Sequence, residues 1–189
     1  FVSNTYTGEK DALEGYNEHA ERVQVLYQPN GVFNALFNVH QRQTTGSSRL
    51  FRANIIKKGT NSFVDGFDPE KIVTNGENYQ NLLTNGANAR LSWDVGSLKF
   101  FSITGYEHVK PLSRADIDGG VPGQAGVPFQ SETGSSMNGH RQLTQEVRLE
   151  SNASGPLSWQ AGVYLFDEKY TIDNITYDTT THVDNDHIY

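Results

Sequence analysis

The connections in this chain alternate between very short and very long. Short turns stand at Gln28-Pro29-Asn30-Gly31, Asp94-Val95-Gly96-Ser97 and Asn152-Ala153-Ser154-Gly155-Pro156. Long polar connections run from about Gln43 to Leu82 and from about Lys110 to Arg141. Each short turn joins two runs in which apolar and polar residues alternate. The first reversal has a plain chemical cause: Pro29 cannot donate to a ladder and Gly31 tolerates positive φ. Tight turns at one end and long loops at the other are how a transmembrane β-barrel is wired. A soluble sandwich also has strands and turns, but nothing in its architecture sorts them this way.

The runs themselves read as strands. Val23, Val25 and Tyr27 fall on one face and Arg22, Gln24 and Gln28 on the other, with Leu26 as an exception. Phe33, Ala35, Phe37 and Val39 alternate with Asn34, Leu36, Asn38, His40 and Arg42. The second pair sets Ala87, Ala89, Leu91 and Trp93 against Asn88, Arg90 and Ser92. From Leu98 to Val109 both faces carry apolar residues, so the facing of that strand stays open. The third pair sets Leu143, Val147 and Leu149 against Thr144, Glu146, Arg148 and Glu150, and continues into Leu157, Trp159, Ala161, Val163 and Leu165. Period two places each set on one face. The expected hairpins are about 19–42, 83–109 and 142–170, with outer loops about 43–82 and 110–141 and six strands in all, up to eight with the ends.

Most runs hold about nine to twelve residues, enough for a tilted strand to cross a bilayer. The polar sets suit the wet interior of a wide barrel better than a small dry core. A soluble sheet with one solvated face gives the same alternation. Trp93 and Trp159 both sit beside short turns, where an interfacial aromatic girdle would lie. They would equally cap the end of a soluble core.

Composition narrows the field. Of 189 residues, 35% are hydrophobic, and mean hydropathy is negative. No run is long and apolar enough for a transmembrane helix. A barrel strand needs apolar residues only at alternate positions, so it remains allowed. Net charge is −7, with the cations scattered, which argues against a nucleic-acid partner. Without cysteine, disulfides, thiolate chemistry and Cys-based zinc sites are excluded. The opening Phe1-Val2-Ser3-Asn4-Thr5 has no charged n-region and no h-region. The chain is expected to be an internal fragment of a longer protein.

Two stretches carry a family resemblance. The first is Ala89-Arg90-Leu91-Ser92-Trp93-Asp94, a Gly turn, and then Ser102-Ile103-Thr104-Gly105-Tyr106. The second is Leu143-Thr144-Gln145-Glu146-Val147-Arg148-Leu149, followed by Leu157-Ser158-Trp159-Gln160-Ala161-Gly162-Val163-Tyr164-Leu165-Phe166-Asp167-Glu168. Together they resemble the barrel of a TonB-dependent outer-membrane receptor. Ser48 to Ile56 is similar to an outer loop of that family. The resemblance implies an all-β fold: an antiparallel up-and-down transmembrane barrel of about 22 strands, closed by a plug. Residues 1–189 would form part of the N-terminal half of that wall, without plug or TonB-contacting segment. It implies outer-membrane lipid, the rest of the barrel and plug, and the TonB complex as partners. It also implies a small nutrient ligand such as a ferric siderophore, a vitamin or a glycan. It implies no cofactor and no enzymatic step. The competing classes are a secreted all-β carbohydrate-binding module and a fragment of a secreted hydrolase.

Single sites offer little chemistry. Asp116-Ile117-Asp118-Gly119-Gly120 has oxygen ligands at a calcium-like spacing but lacks the further acids and bidentate Glu of an EF-hand loop, so a solvated acidic loop is expected. His182-Val183-Asp184-Asn185-Asp186-His187 gathers possible ligands in a Thr/Asp-rich tail and reads as hydrated loop. Glu146, Arg148 and Glu150 read as lumen charges paired with neighbouring strands. Asn152-Ala153-Ser154 and Asn174-Ile175-Thr176 match the glycosylation pattern, which is short and common by chance. There is no Gly-x-Ser-x-Gly elbow and no phosphate-cradling loop before a helix. Recognition chemistry is therefore assigned to the long loops, where cations mix with aromatics, with Arg49, Phe51, Arg52 and Tyr79 as candidates.

Overall fold

A computed structural model describes residues 1–121, 131–152 and 156–177. Among these, all regular secondary structure is β. A small sheet takes β1 (Val2–Asn4), β2 (Glu9–Leu13) and β5 (Lys71–Ile72), in the order β2-β1-β5. The large sheet holds β3 (Tyr16–Tyr27), β4 (Phe33–Gly46), β6 (Tyr79–Val95), β7 (Leu98–Asp116), β8 (Glu132–Ser151) and β9 (Gln160–Tyr177). Its order is β3-β4-β6-β7-β8-β9, an antiparallel meander in which each strand pairs with the next of the sheet. The sheet is open, with β3 and β9 at its edges. All six expected strands are present. The chain ends add no strand to the large sheet among the described residues; the first residues build the small one instead.

Register decides the faces. Val23 stands opposite Val39, Val39 opposite Ala87, Ala87 opposite Tyr106 and Tyr106 opposite Leu143. Nearer the short turns, Phe33 stands opposite Trp93 and Trp93 opposite Phe100. One face is thus an apolar band of roughly seven residues per strand, about 23 Å at ~3.3 Å per residue. It is interrupted at mid-height on β7 and β8, where Thr104 Oγ1 donates to Gln145 Oε1 and Gln145 Nε2 donates to Ser102 Oγ. The other face lines up Gln24, Asn38, Asn88 and Gly105. The facing of β7 is now fixed: Phe100 and Tyr106 join the apolar band, while Phe101 and Ile103 lie among the polar residues.

The band covers no core. Val39 is 54% exposed and Val163 65%, and the buried apolar residues of the described chain are only Val2, Ala35, Ile72, Phe101 and Val121. The aromatic end of the band gathers at the short turns, where Tyr27 meets Phe33 edge-on with ring centroids 6.3 Å apart. Just before β9, the Ser151 N–H donates to the Trp159 carbonyl and the Trp159 N–H donates to Ser151 Oγ, both at 2.9 Å. Residues 153–155 of the third turn lie outside the described residues.

The strands are longer than the alternation suggests, at 17 to 20 residues for β6 to β9. The stretch expected as a loop at 110–141 is therefore largely strand, and the connection spans only 117–131. The other loop likewise shrinks from 43–82 to 47–78. The cause is that both faces are polar beyond the band. Alternation vanishes from the sequence there while backbone pairing continues. Pro111 even lies inside β7, opposite Leu82. It is tolerated because the ladder to β8 is interrupted between Glu107 and Leu112.

That interruption is a β-bulge. The β8 register shifts against β7 and, between Asn138 and Arg141, against β9 as well. Gly139 sits there at φ +60, a conformation that costs a side chain dearly. A Cβ at this position would meet nothing within 4 Å, so any penalty belongs to the backbone alone. Gly139→Val should destabilise the full-length protein by about 1–3 kcal/mol. Gly139→Asn, which tolerates this region, should cost clearly less. Thermal unfolding of the two variants side by side checks the order; equal losses would contradict a backbone cause.

Candidate functional site

The four loop candidates do not form one site. Arg49 and Phe51 line a cleft of about 520 Å³ with Gln80, Ser113, Ser135 and Asn174. This cleft lies over the polar face beyond the band. Arg52 lines a separate cleft of about 510 Å³ with Ile55, Phe67, Lys71 and Ile72. Its Nη2 donates to the Pro69 carbonyl at 2.9 Å, and its Nε is buried without a hydrogen-bond partner. Tyr79 opens β6 opposite Arg114, on the face away from Arg49. The loop carrying the two arginines is built, not slack. Val64 N–H donates to the Ile55 carbonyl at 2.9 Å, Ile56 bridges Phe63, and Phe63 stacks on Phe67 with centroids 4.5 Å apart.

The Asp116 to Gly120 segment is neither a calcium loop nor a solvated acidic one. Asp116 is 5% exposed and Asp118 3%. Asp116 accepts from Thr74 Oγ1 at 2.6 Å, from the Gly76 N–H at 3.1 Å and from the Asp118 N–H at 3.2 Å. Asp118 accepts the N–H groups of Gly120 at 3.0 Å and Ser131 at 3.2 Å. Asn4 Nδ2 donates to the Thr74 carbonyl at 2.8 Å, tying the N-terminal strand into the same cluster. The half-buried Arg114 joins Glu132 at 2.7 Å beside it. The acids are thus a clasp locking loop to loop. Their oxygens accept from backbone N–H groups and the Thr74 hydroxyl. No group of three or more His, Asp or Glu side chains placed to hold a metal occurs among the described residues. His182 to His187 lies outside them.

Charges on the polar face pair both across and along strands: Arg42 reaches Glu18 of β3 at 2.7 Å and Lys99 reaches Asp94 of β6 at 3.8 Å, but Arg148 keeps to its own strand. Arg148 contacts Glu146 at 3.2 Å and Glu150 at 2.9 Å, all on β8, which corrects the expectation of partners on neighbouring strands. The same guanidinium lies 4.8 Å from the Phe101 ring centroid, and Lys99 Nζ lies 5.6 Å from it. Phe101, an apolar residue on the polar face, is buried under these cations, which attract its ring.

Two histidine–carboxylate contacts do cross strands, and the sequence reading missed both. His140, at the bulge, accepts the Val109 N–H on Nδ1 at 3.1 Å. Its Nε2 therefore carries the hydrogen, donated to Glu168 at 3.2 Å. His40 reaches Glu107 through Nε2 at 3.2 Å, although β6 lies between them. The residue between is Gly86, opposite both. A glycine inside a strand often marks such a close approach, and that was the available signal. A Cβ on Gly86 would sit 2.4 Å from Glu107 Oε2 and 2.6 Å from the Tyr106 carbonyl oxygen.

Two outcomes follow for the full-length protein. Gly86→Ala should separate His40 from Glu107 and destabilise by about 1–3 kcal/mol. His40→Gln in the Gly86→Ala background should then add almost nothing, a double-mutant cycle that would refute the contact if the losses were additive. The second concerns pH. Burial, reinforced by neighbouring Asp116, raises the Asp118 pKa against the pull of its two backbone donors. A raised carboxyl pKa means that the folded clasp binds a proton more tightly than the unfolded chain. Ionised Asp118 thus costs stability at neutral pH, and the cost fades as pH falls through its folded pKa toward the ordinary value of about 3.9. Amide exchange at Gly120 and Ser131, corrected for intrinsic rates, should show this gain on acidification in wild type and not in Asp118→Asn. Identical pH profiles would overturn it.

No protein-family model matches the chain, and neither a curated protein nor a solved structure matches it.

Proposed function

We propose that this chain is part of the wall and outer loops of an outer-membrane active-transport receptor of the TonB-dependent kind. In this reading lipid covers the apolar band and the polar face lines the lumen. Outer loops capture a scarce nutrient such as a ferric siderophore, a vitamin or a glycan. Translocation is driven by TonB-supplied energy and involves no covalent chemistry. One observation carries the reading: six adjacent strands expose an apolar band on one face, broken at mid-height by the mutually hydrogen-bonded Ser102, Thr104 and Gln145, and carry hydrogen-bonded and ion-paired polar residues on the other. Exposed apolar patches of this extent mark interaction or membrane surfaces. The aromatics at the short-turn end and the built loops at the opposite end agree with an interfacial girdle and an outer mouth. The family resemblance of the second and third hairpins supplies the transport class.

The alternative, a secreted carbohydrate-binding module, needs a second sheet to cover the band. The two readings part on one substitution. Val147 lies in the middle of the band on β8, and Gln24 lies on the polar face of β3. At mid-bilayer, Val147→Arg should cost about 2–4 kcal/mol of folding free energy in vesicles, while Gln24→Arg stays within about 1. The full-length protein should fractionate with the outer membrane and fold only in detergent or lipid. Recovery from the soluble periplasm, with Val147→Arg as stable as wild type, would sink the proposal.

A further inference from the structure

Arg141 of β8 and Lys169 of β9 stand directly opposite each other, both exposed. Like charges in that relation repel. Neither forms an ion pair among the described residues. Both lie on the apolar face, just past the loop-side end of the band. Arg141 is the next residue of that face beyond Leu143, and Lys169 lies beyond Leu165 and Asp167. On β7, His108 and Lys110 continue the same face beyond Tyr106. Asp167, opposite Leu143, is the nearest carboxylate in register, and it pairs with neither cation. Asp173 is occupied by Ser136 Oγ at 3.2 Å and by Asn138 Nδ2. The two cations, with Asn138, Gly139, Thr171 and the carboxylate of Asp173 at its far side, line an open hollow of about 430 Å³ beside the bulge.

We infer that this hollow binds the phosphate of an anionic lipid headgroup in the outer leaflet. The inference rests on the wall reading above and adds a ligand site to it. An unpaired cationic pair at the border of a lipid-covered band meets headgroups at that height. Arg141 offers a planar fork that matches phosphate oxygens, and Lys169 adds a compact charge. Thr171 supplies a hydroxyl donor at the rim, while Asn138 Nδ2 is spent on Ser136 and Asp173 and holds that carboxylate back. Acyl chains of the same lipid continue down over Leu143, Val163 and Leu165. The repulsion between the two side chains is relieved when the anion sits between them, which explains why the pair is kept unpaired.

The test uses the full-length protein, purified in nonionic detergent and titrated with bisphosphorylated lipid A. Bound lipid is read by native mass spectrometry and by the rise in unfolding temperature. Arg141→Gln/Lys169→Gln should lower lipid A retention by at least about five-fold, on the order expected for losing two interfacial cations. Lys58→Gln in the outer loop should leave it unchanged, and Arg141→Lys should retain most of it. Inorganic phosphate at the same concentration should not raise the unfolding temperature. Retention by the double variant within two-fold of wild type, or an equal shift with free phosphate, overturns the site. Membrane recovery with unchanged retention defeats this inference alone, whereas recovery of wild type from the soluble fraction defeats the wall reading with it.

Discussion

What holds this chain together is the interstrand ladder. In most domains, burial of apolar side chains drives folding and the backbone bonds follow. Here the described large sheet buries almost no apolar side chain, yet five successive antiparallel pairings run through strands of up to 20 residues. Every other feature is placed by that register. It aligns the apolar residues of six strands into one band, and it brings His40, Gly86 and Glu107 into one row. A slip of one residue in any strand would move that strand's part of the band to the opposite face.

Among the described residues, nothing covers the apolar side of this sheet. Its polar side is already organised, with Arg148 bracketed by two glutamates and resting on Phe101. The loop end is organised too. The clasp around Asp116 and Asp118 ties β1, the segment after β5 and the top of β7 into one unit. The clefts containing Arg49 and Arg52 therefore rest on a fixed base.

The sequence made the strand pairs and their faces legible wherever one face was apolar. Phe33 to Val39 and Ala87 to Trp93 alternate without a break, and the register follows them. It failed where both faces were polar, as from Lys110 to Asp116, because nothing in the side-chain pattern then distinguishes strand from loop. The ambiguity of Leu98 to Val109 had the opposite cause: Phe101 is apolar on the polar side because cations cover it. The acidic cluster at Asp116 to Gly120 was misread as solvated. Its partners Asn4 and Thr74 lie far away in sequence, so no local pattern could reveal them. The candidate site was the least legible part. Arg49 and Arg52 are near neighbours in the chain, yet they line different clefts.

The single extra residue at Gly139 has a consequence for how the chain is numbered in space. Along β8, odd residues from Arg141 to Leu149 share the side of the band, whereas beyond the bulge that side is taken by Ser136, Gly134 and Glu132. The strand thus changes parity partway along. A probe attached at an odd position reports the band side near the short turn and the reverse side near the loops. Deleting the extra residue would leave the outer third of β8 with the same partners on the same side in a regular ladder, whereas pairing the intact sequence without the bulge would turn that third inside out.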